Sequence, residues 1–404
     1  MRIGVGLILV VAALTACTPN GPLTPAHSPT AQLQSPSPSP TPTPEESPSP
    51  SPRESPTAPP TPVVVPAWAA MHASCVAQPT SAEAVLLLQG APNPVLADVT
   101  NAKAPKTLCG ITGGNFQPQL VTQTMISWSA TQGSPGTPGT SVIAVLDLFT
   151  GTSTVVASWS GGGFMDGLHA WSPDRGFLAY VASDSTAVGL HLLSGGGDRV
   201  VATLGPVPGR GINPNEDDAY LAFSPDGAYF AFVQTFTGDG LQIRRTIDGS
   251  LAFSLVRGTM ASWGSTGSRL YYRQPVSTVI QVWDSASGVS QAFGQQLSWI
   301  RPRADAGDDN LAFTTRDASG TPHVWLYGHG GRSGGELPNA RSQPAWLNST
   351  TFFMTEEAPC GANCGLGPAW QPDGKTFTYD ISALAETSSK ISQVYGAWPR
   401  PGQT

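Results

Sequence analysis

The chain has 404 residues, a formal net charge of -7 and only 12% charged side chains, while glycine (45) and proline (39) are unusually abundant. The chain is acidic overall and has no cluster of lysines and arginines, which argues against a nucleic acid or an anionic membrane surface as its partner. Roughly 330 residues remain once a low-complexity N-terminal part is set aside, which is enough for one large repeat fold or two ordinary domains.

Residues 1–16 have the features of a secretory signal, with Arg2 before an apolar run that is too short for a comfortable membrane span. The tetrapeptide Leu14-Thr15-Ala16-Cys17 resembles the bacterial lipobox, which implies cleavage before Cys17 and lipidation of that cysteine. An ordinary signal peptide and an uncleaved anchor are the alternatives. The lipobox interpretation predicts an exported protein that its N-terminal lipid holds to the outer face of the bacterial cytoplasmic membrane, or to the periplasm or outer membrane of a Gram-negative cell.

Residues 17–66 form a segment of proline, serine and threonine with almost no large apolar side chains. Such a composition cannot bury enough apolar surface to offset the entropy of folding, so the sequence predicts a disordered stalk. At ~3.1 Å per residue its full reach is on the order of 150 Å. We expect the folded domain to occupy residues 67–404.

Four cysteines remain after Cys17, and an even number in an exported protein indicates disulfides. Four cysteines permit three pairings. Cys360 and Cys364 bracket Gly-Ala-Asn and are able to close a small loop, which would leave Cys75 with Cys109. A metal site is the rival interpretation, but the CxxxC spacing lacks a second ligand pair nearby, so we predict no metal.

The stretch AYLAFSPDGAYFAF at 219–232 consists of two alternating apolar runs around Ser-Pro-Asp-Gly, and HAWSPDRGFLAY precedes it by about fifty residues. Proline presets φ at the second position of a type I turn, and glycine accepts the strained fourth. Each copy therefore predicts a strand, a tight turn and a strand. Weaker copies follow at 261–272, 298–313 and 345–354, whereas PAWQPDGKTFTY is out of phase and is expected in a loop before a hairpin.

A second hairpin type alternates with the first, with an apolar strand, a short glycine-containing turn and another apolar strand. Seven segments fit, at 93–111, 141–159, 186–204, 240–256, 278–293, 321–337 and 375–391. Two hairpins per period make a four-stranded unit, which predicts an all-β fold with a single β-propeller. Seven blades are favoured and six remain possible, because the first blade can borrow a strand from the C-terminal SQVYGAWP. A pair of β-sandwiches is the alternative.

The segments WSPDRGFLAY, FSPDGAYFAF and WQPDGKTFTY resemble the TolB-type, WD-like propeller repeat, in which [WF]-S-P-D-G-x-x-[IL]-[AV]-[FY] recurs once per blade. The resemblance covers residues ~115 to 392 loosely, and the first two segments carry it. It implies a β-propeller of the bacterial envelope. Such repeats specify a fold far better than a function.

In a four-stranded blade, the turns between strands A and B and between C and D lie on one face, and the other connections lie on the opposite face. The long connections, at 131–140, 160–170, 205–219 and 356–374, all fall on that second face. Long loops on a rigid scaffold are where binding sites usually lie. The polar candidates in these loops are Asp166, His169, Arg210, Asn213, Glu216, Asp217, Asp218, Glu356 and Glu357.

The sequence contains no GxSxG nucleophile elbow, HExxH, Walker loop or GxGxxG after a strand. We therefore expect no catalytic residue and no cofactor. The favoured function is a monomeric binding or scaffolding module whose partner is an envelope protein, a peptide or a glycan. The alternatives are a propeller hydrolase or lyase that acts on extracellular polymers, and a structural or sensory subunit of a membrane complex.

Overall fold

The computed structural model describes residues 63–81, 84–90, 93–101, 103–113, 118–133, 139–161, 167–184, 186–206, 220–234, 240–256, 258–264, 267, 269–274, 279–296, 303–304, 310–328, 335–348, 350–359, 370–391 and 394–398. Contacts divide the chain into two compact units, residues 1–59 and residues 60–404. All the described residues belong to the second unit.

The second unit is built of antiparallel strands. The first sheet contains β1 (His72–Cys75), β2 (Leu86–Gln89), β3 (Val95–Asp98) and β4 (Lys106–Thr112). Four sheets of four strands follow in chain order. They are β5 (Gln119–Leu120), β6 (Met125–Gln132), β7 (Thr140–Asp147) and β8 (Ser153–Ser160); β9 (His169–Trp171), β10 (Phe177–Ser183), β11 (Ala187–Ser194) and β12 (Gly197–Pro206); β13 (Tyr220–Phe223), β14 (Tyr229–Gln234), β15 (Gly240–Arg245) and β16 (Leu251–Leu255); and β17 (Thr259–Trp263), β18 (Arg269–Arg273), β19 (Val279–Asp284) and β20 (Val289–Gln296).

The last sheet has seven strands. They are β21 (Arg303–Ala304), β22 (Asn310–Arg316), β23 (Pro322–Gly328), β24 (Glu336–Trp346), β25 (Thr351–Pro359), β26 (Trp370–Asp380) and β27 (Ala385–Ser389). The long strand β24 pairs with β23 through its first half and with β25 through its second half. It therefore joins two successive four-strand units within one hydrogen-bonded sheet.

The last strand of the described chain, β28 (Val394–Trp398), returns to the start. It pairs antiparallel with β2, so the first sheet has the order β1-β4-β3-β2-β28. The prediction that a C-terminal strand completes the first blade is confirmed.

The predicted all-β fold with a single β-propeller is also confirmed. The described residues form six hydrogen-bonded sheets, which is the lower of the two predicted blade numbers when blades are counted by sheets. The seven-stranded sheet contains two four-strand units that share β24, so the six sheets comprise seven repeat units.

Residues just before β1 pack against the propeller. The amide of Val155 in β8 donates to the carbonyl of Val63 at 3.0 Å, and Val65 belongs to the first core cluster. The short 3-10 helix η1 (Ala67–Ala69) follows, and the Trp128 indole donates to the Ala69 carbonyl at 2.8 Å. A fragment that keeps these contacts has to begin before Val63.

The second strand of a unit is buried on both faces, because neighbouring sheets stack against each other. Phe230 and Phe232 of β14 pack in a cluster with Leu190 of the preceding sheet, while Ala231 and Val233 pack in a cluster with residues of the following sheet. Burial of one phenylalanine side chain contributes about 1.5–3 kcal/mol. The near-continuous apolar runs of the sequence follow from this two-sided burial.

The Ser-Pro-Asp turns join the first two strands of their units. The Ser224 hydroxyl donates to Asp226 Oδ1 at 2.5 Å and accepts from the Tyr229 amide at 3.0 Å, while Gly227 has a φ of 71°. Ser172 and Asp174 repeat the serine-to-aspartate bond at 2.6 Å. The recurring polar centre of the repeat is therefore turn chemistry, as predicted.

The third copy departs from the prediction. The segment QPDG at 371–374 lies inside the continuous strand β26, where the register with β25 shifts between Thr355 and Glu357. Gly374 has a φ of 84°. A bulge takes up the extra residues within the strand, so the expected loop before the hairpin is not formed there.

Three of the turns between the third and fourth strands, those after β7, β19 and β26, share one design. An aspartate accepts backbone amides two and three residues later, and the fifth residue is left-handed. In the turn after β19, Asp284 accepts from Ala286 and Ser287, and Gly288 has a φ of 68°. The turn after β26 places Leu384 at the equivalent position, with a φ of 51° and 74% of its surface exposed.

We expect Leu384→Gly to stabilise the protein by about 0.5–1 kcal/mol, because a left-handed conformation is strained for leucine and free for glycine. Equilibrium urea unfolding measures the change. The matched variant Gly288→Ala should destabilise the fold by about 1 kcal/mol, and the cost is purely conformational because an added Cβ there meets nothing within 4 Å. A Leu384→Gly protein that is less stable than the parent would contradict this account.

Candidate functional site

The antiparallel order of each unit sorts its connections between two faces. We call the face with the turns from first to second and from third to fourth strand the turn face, and the opposite one the loop face. The turns after β7, β15 and β19 lie on the turn face and each span four or five residues between strands. The connections after β6, β8, β12 and β25 lie on the loop face and are longer. The turn-face connections after β3 and β23 span seven residues, as many as the loop-face connection after β6, so the predicted asymmetry rests on the three longer loop-face connections, after β8, β12 and β25.

Most of the predicted site residues lie outside the described part of the chain. These are Cys17, Asp166, Arg210, Asn213, Glu216, Asp217, Asp218, Cys360 and Cys364. They remain predictions. The described ones are His169, Glu356, Glu357, Cys75 and Cys109.

His169 is the first residue of β9 and is 2% exposed. Its Nδ1 lies 2.7 Å from the Gly167 carbonyl oxygen, and its Nε2 lies 2.9 Å from Ser127 Oγ on the preceding sheet. A carbonyl only accepts, so Nδ1 donates to Gly167 and Nε2 accepts from the Ser127 hydroxyl. The geometry assigns His169 to holding the end of a loop-face connection at the start of β9.

Glycines complete the attachment of this connection. An added Cβ at Gly167 would lie 2.3 Å from the Ser129 Cβ, and one at Gly161 would lie 2.1 Å from the Ser183 carbonyl oxygen. The Ser141 hydroxyl donates to the Gly161 carbonyl at 2.8 Å. Both ends of the connection are therefore fixed by close backbone packing that excludes any side chain.

The structure pairs Cys75 with Cys109 in a disulfide that joins β1 to β4. The two residues lie directly opposite each other in the strand register. This is the pairing that remained once Cys360 and Cys364 were assigned to a loop of their own. It ties the N-terminal strand to the outer edge of the first sheet.

Glu356 and Glu357 were expected in a long connection, but they belong to β25, and the connection is confined to residues 360–369. Both are paired. Arg341 Nη1 lies 3.1 Å from Glu356 Oε2, and Arg316 Nη2 lies 3.2 Å from Glu357 Oε2. Because Arg316 is on β22 and Glu357 on β25, the second pair links the last two four-strand units.

Arg341 is the centre of this network and its side chain is 8% exposed. Its Nη2 donates to Glu386 Oε1 at 2.8 Å, and its Cζ lies 3.7 Å from the centroid of the Phe377 ring. Lys375 Nζ lies 3.2 Å from Glu356 Oε1. We call this set the junction cluster; it comprises Arg316, Arg341, Glu356, Glu357, Lys375 and Glu386.

The sequence did not single out four of these residues, namely Arg316, Arg341, Lys375 and Glu386. They come from four strands, and no local motif connects them. A weak signal existed for Arg341, because a charged side chain in the middle of the strand segment NARSQPAW needs a partner when it is buried. The identity of that partner depends on the tertiary fold.

Among the described residues, no group of three or more histidine, cysteine, aspartate and glutamate residues is placed to hold a metal ion. Within the same residues, no helix has the length and apolar character needed to cross a membrane.

These features define a β-propeller protein. TolB from Acinetobacter baumannii is similar over 63% of this chain and 64% of its own, with 17% identity and a TM-score of 0.39. Prolyl oligopeptidase B from Galerina marginata is similar over 81% of this chain and 51% of its own, with 12% identity and a TM-score of 0.51. A functionally unknown protein from Desulfotomaculum acetoxidans is similar over 78% and 97%, with 13% identity and a TM-score of 0.47.

At 12% identity and a TM-score of 0.51, the similarity to prolyl oligopeptidase B shows the β-propeller fold alone. The chain spans about half the length of prolyl oligopeptidase B. No family model matches the sequence. No curated protein matches it either.

Asp317 starts the connection from β22 to β23 on the loop face. Its Oδ1 accepts from the Ser319 hydroxyl at 2.6 Å and from the amides of Ser319 and Thr321. The Ser319 hydroxyl bond is the largest cause of the fall in the pKa of Asp317 to about 2, from an ordinary value of 3.8. Since the folded-state pKa is depressed, the ionised carboxylate stabilises the fold above pH 3.8, and this contribution is lost as the pH falls through about 2.

We expect Asp317→Asn to be less stable than the parent at neutral pH, and the difference to shrink as the pH falls from about 4 to about 2. Urea midpoints measured across that range test this. Ser319→Ala keeps the carboxylate but removes the strongest bond to it, so its acid-dependent loss of stability should be smaller than in the parent and should be complete at a higher pH. A difference between Asp317→Asn and the parent that is the same at both ends of the range would contradict the assignment.

Proposed function

We propose that this protein is an exported, lipid-anchored β-propeller that binds a partner at the bacterial cell envelope through its loop face. The lipobox at Cys17 and the stalk at 17–66 support an anchored protein that extends from a membrane. The propeller supplies a rigid support whose two faces differ. The partner classes that fit are an envelope protein, a peptide and a glycan.

The observation that carries the proposal is the asymmetry of the connections. Several turn-face connections are short turns whose polar groups are used within the turn, as with Asp284 and Asp226. The loop face has longer connections, and glycines and hydrogen bonds fix the ends of at least one of them. Variable loops on fixed ends are the usual form of a binding surface on a repeat scaffold.

A hydrolase or lyase acting on extracellular polymers is the second candidate. Prolyl oligopeptidase B shares the fold at a TM-score of 0.51, and that similarity covers about half of its length. The absence of a GxSxG elbow from the sequence makes binding the better-supported function. A structural or sensory subunit of a membrane complex is a third candidate, suggested by the resemblance to TolB.

We expect Cys17→Ser to release the protein from the membrane, because the lipobox resemblance makes the Cys17 thiol the point of lipid attachment and serine has no thiol. Fractionation of cells that express the parent and the variant measures this. Cys75→Ser serves as the control, since it removes a cysteine that lies in the Cys75–Cys109 disulfide and not in the lipobox, and it should leave the protein with the membrane. Retention of the Cys17→Ser protein in the membrane fraction would argue for an uncleaved anchor.

We expect a fragment of residues 60–404 to capture a defined partner from envelope extracts, and Arg210→Ala or the triple replacement of Glu216, Asp217 and Asp218 by alanine to weaken capture. The fragment begins at 60 so that it keeps the contacts of Val63 and Val65. Quantitative mass spectrometry of the captured proteins and glycans is the measurement.

Arg245→Ala is the matched control for Arg210→Ala, because Arg245 is exposed and lies on the turn face. If Arg245→Ala weakens capture and the loop-face replacements do not, the binding surface lies on the turn face and the proposed loop-face site is wrong.

A further inference from the structure

The exposed apolar side chains of the molecule are concentrated on one face. Nine large apolar residues are exposed among the described residues, and of these only Val256, just after β16, lies on the loop face. The turns of the turn face and the strand residues that follow them carry Ile247, Leu251, Val289 and Leu384. Single exposed apolar side chains are ordinary, but a set confined to one face marks an interaction surface.

The other four exposed residues lie near the same edge of other sheets. Val200 is the fourth residue of β12, which begins at the turn face. The Val76 amide donates to the Leu108 carbonyl at 2.8 Å, near the turn-face end of β4. The Val63 carbonyl accepts from the third residue of β8, and Val64 follows it. Each of the six sheets therefore has an exposed apolar side chain at or beside its turn-face edge, and we call the eight residues the apolar rim.

Neighbouring parts of the apolar rim are in contact. Arg199 precedes Val200, and its Nη2 donates to the Ile247 carbonyl at 2.9 Å. An ideal Cβ at Gly249 would lie 2.3 Å from Val201 Cγ1, so the turn after β15 packs directly on β12. The Arg199 side chain is exposed beside these apolar groups. Such a mixture of apolar groups and long cations is typical of proteins that lie at a membrane interface.

One member of the apolar rim is retained although it is strained. Leu384 has a φ of 51°, and Gly288 occupies the equivalent position in the turn after β19. With 74% of its surface exposed, the leucine gains little from packing within the molecule. Strained residues persist where function requires them. A partner that buries the Leu384 side chain would explain why leucine stands there.

We infer that the turn face lies on the lipid bilayer, with Ile247, Val289 and Leu384 inserted among the lipid headgroups. A bilayer is a flat partner with an apolar interior, and it is able to contact the turns of all six sheets together. The described residues begin at Val63, beside the same face, so the chain that leads to the proposed lipid anchor joins the propeller on its membrane side. The inference rests on the proposed anchor at Cys17, and it leaves the loop face free for the partner.

The contact is weak and reversible, because it consists of a few separate side chains. The anchor keeps the domain near the bilayer and raises its local concentration there, so a weak contact is enough to orient the propeller. The Cys17→Ser protein lacks the anchor and is still expected to leave the membrane when the membrane fraction is washed.

The test uses the chain from residue 17 onward with Cys17→Ser, so that neither the signal segment nor the lipid contributes to binding. Residues 1–16 belong to the first compact unit, and their removal leaves the second unit whole. Co-sedimentation with sucrose-loaded vesicles of phosphatidylcholine, with and without phosphatidylglycerol, gives the partition coefficient. We expect binding to the neutral vesicles that the anionic lipid does not strengthen, since the chain is acidic and apolar insertion drives the contact.

Variants then locate the contact. Ile247→Ser combined with Leu384→Ser should lower the partition coefficient about tenfold or more, because both apolar side chains are lost from the contact. Leu384→Gly alone should lower it while raising the unfolding midpoint, a combination that damage to the fold does not produce. Val256→Ser is the matched control, since it removes a comparably exposed side chain from the loop face.

The inference is overturned if the parent fails to bind neutral vesicles, or if Val256→Ser lowers binding as much as the double variant does. Sedimentation equilibrium without lipid is a further check: a parent dimer that the double variant converts to a monomer would assign the apolar rim to a contact between copies of the chain and overturn the inference. If vesicle binding is absent while residues 60–404 still capture an envelope partner, the inference fails and the proposed binding function stands.

Discussion

The pairing of β28 with β2 is the constraint on which the rest of the molecule depends. A propeller sheet is apolar on both faces, so each one needs a neighbour on either side, and a row of such sheets is stable only when it closes. Here the register from Leu86 opposite Trp398 to Gln89 opposite Val394 brings the C-terminal strand into the first sheet. Closure therefore buries Leu86, Leu87 and Leu88, which are all at most 1% exposed. The Cys75–Cys109 disulfide holds the opposite edge of that sheet.

Closure also explains why the repeats carry so little functional information. Ser-Pro-Asp and aspartate turns recur because each unit must reverse direction in a few residues, and the serine and aspartate oxygens take up the free amides of the turn. These groups are already bonded within the turn face. The parts that differ between units are the loop-face connections and the junction of the last two units.

The junction of the last two units shows how a charged interface is kept within an apolar repeat. Arg341 would be costly to bury alone, but Glu356, Glu386 and the Phe377 ring surround its guanidinium. A buried ion pair contributes little net stability compared with apolar packing, and its loss on one side is expensive. The Arg316–Glu357 pair links the two units, and the long strand β24 passes from one unit to the other.

The sequence by itself determined the fold class, the second hairpin of every unit and the face that bears the long connections, because these follow from local periodicity and turn residues. It also determined the turn role of Asp174 and Asp226, and the borrowed C-terminal strand. Only the tertiary structure decided that QPDG is a bulge within β26, that β24 serves two units, and that Glu356 and Glu357 are paired strand residues. Strand register and burial depend on side chains from strands that are distant in the sequence. A local sequence pattern therefore cannot show which arginine forms an ion pair with a given glutamate.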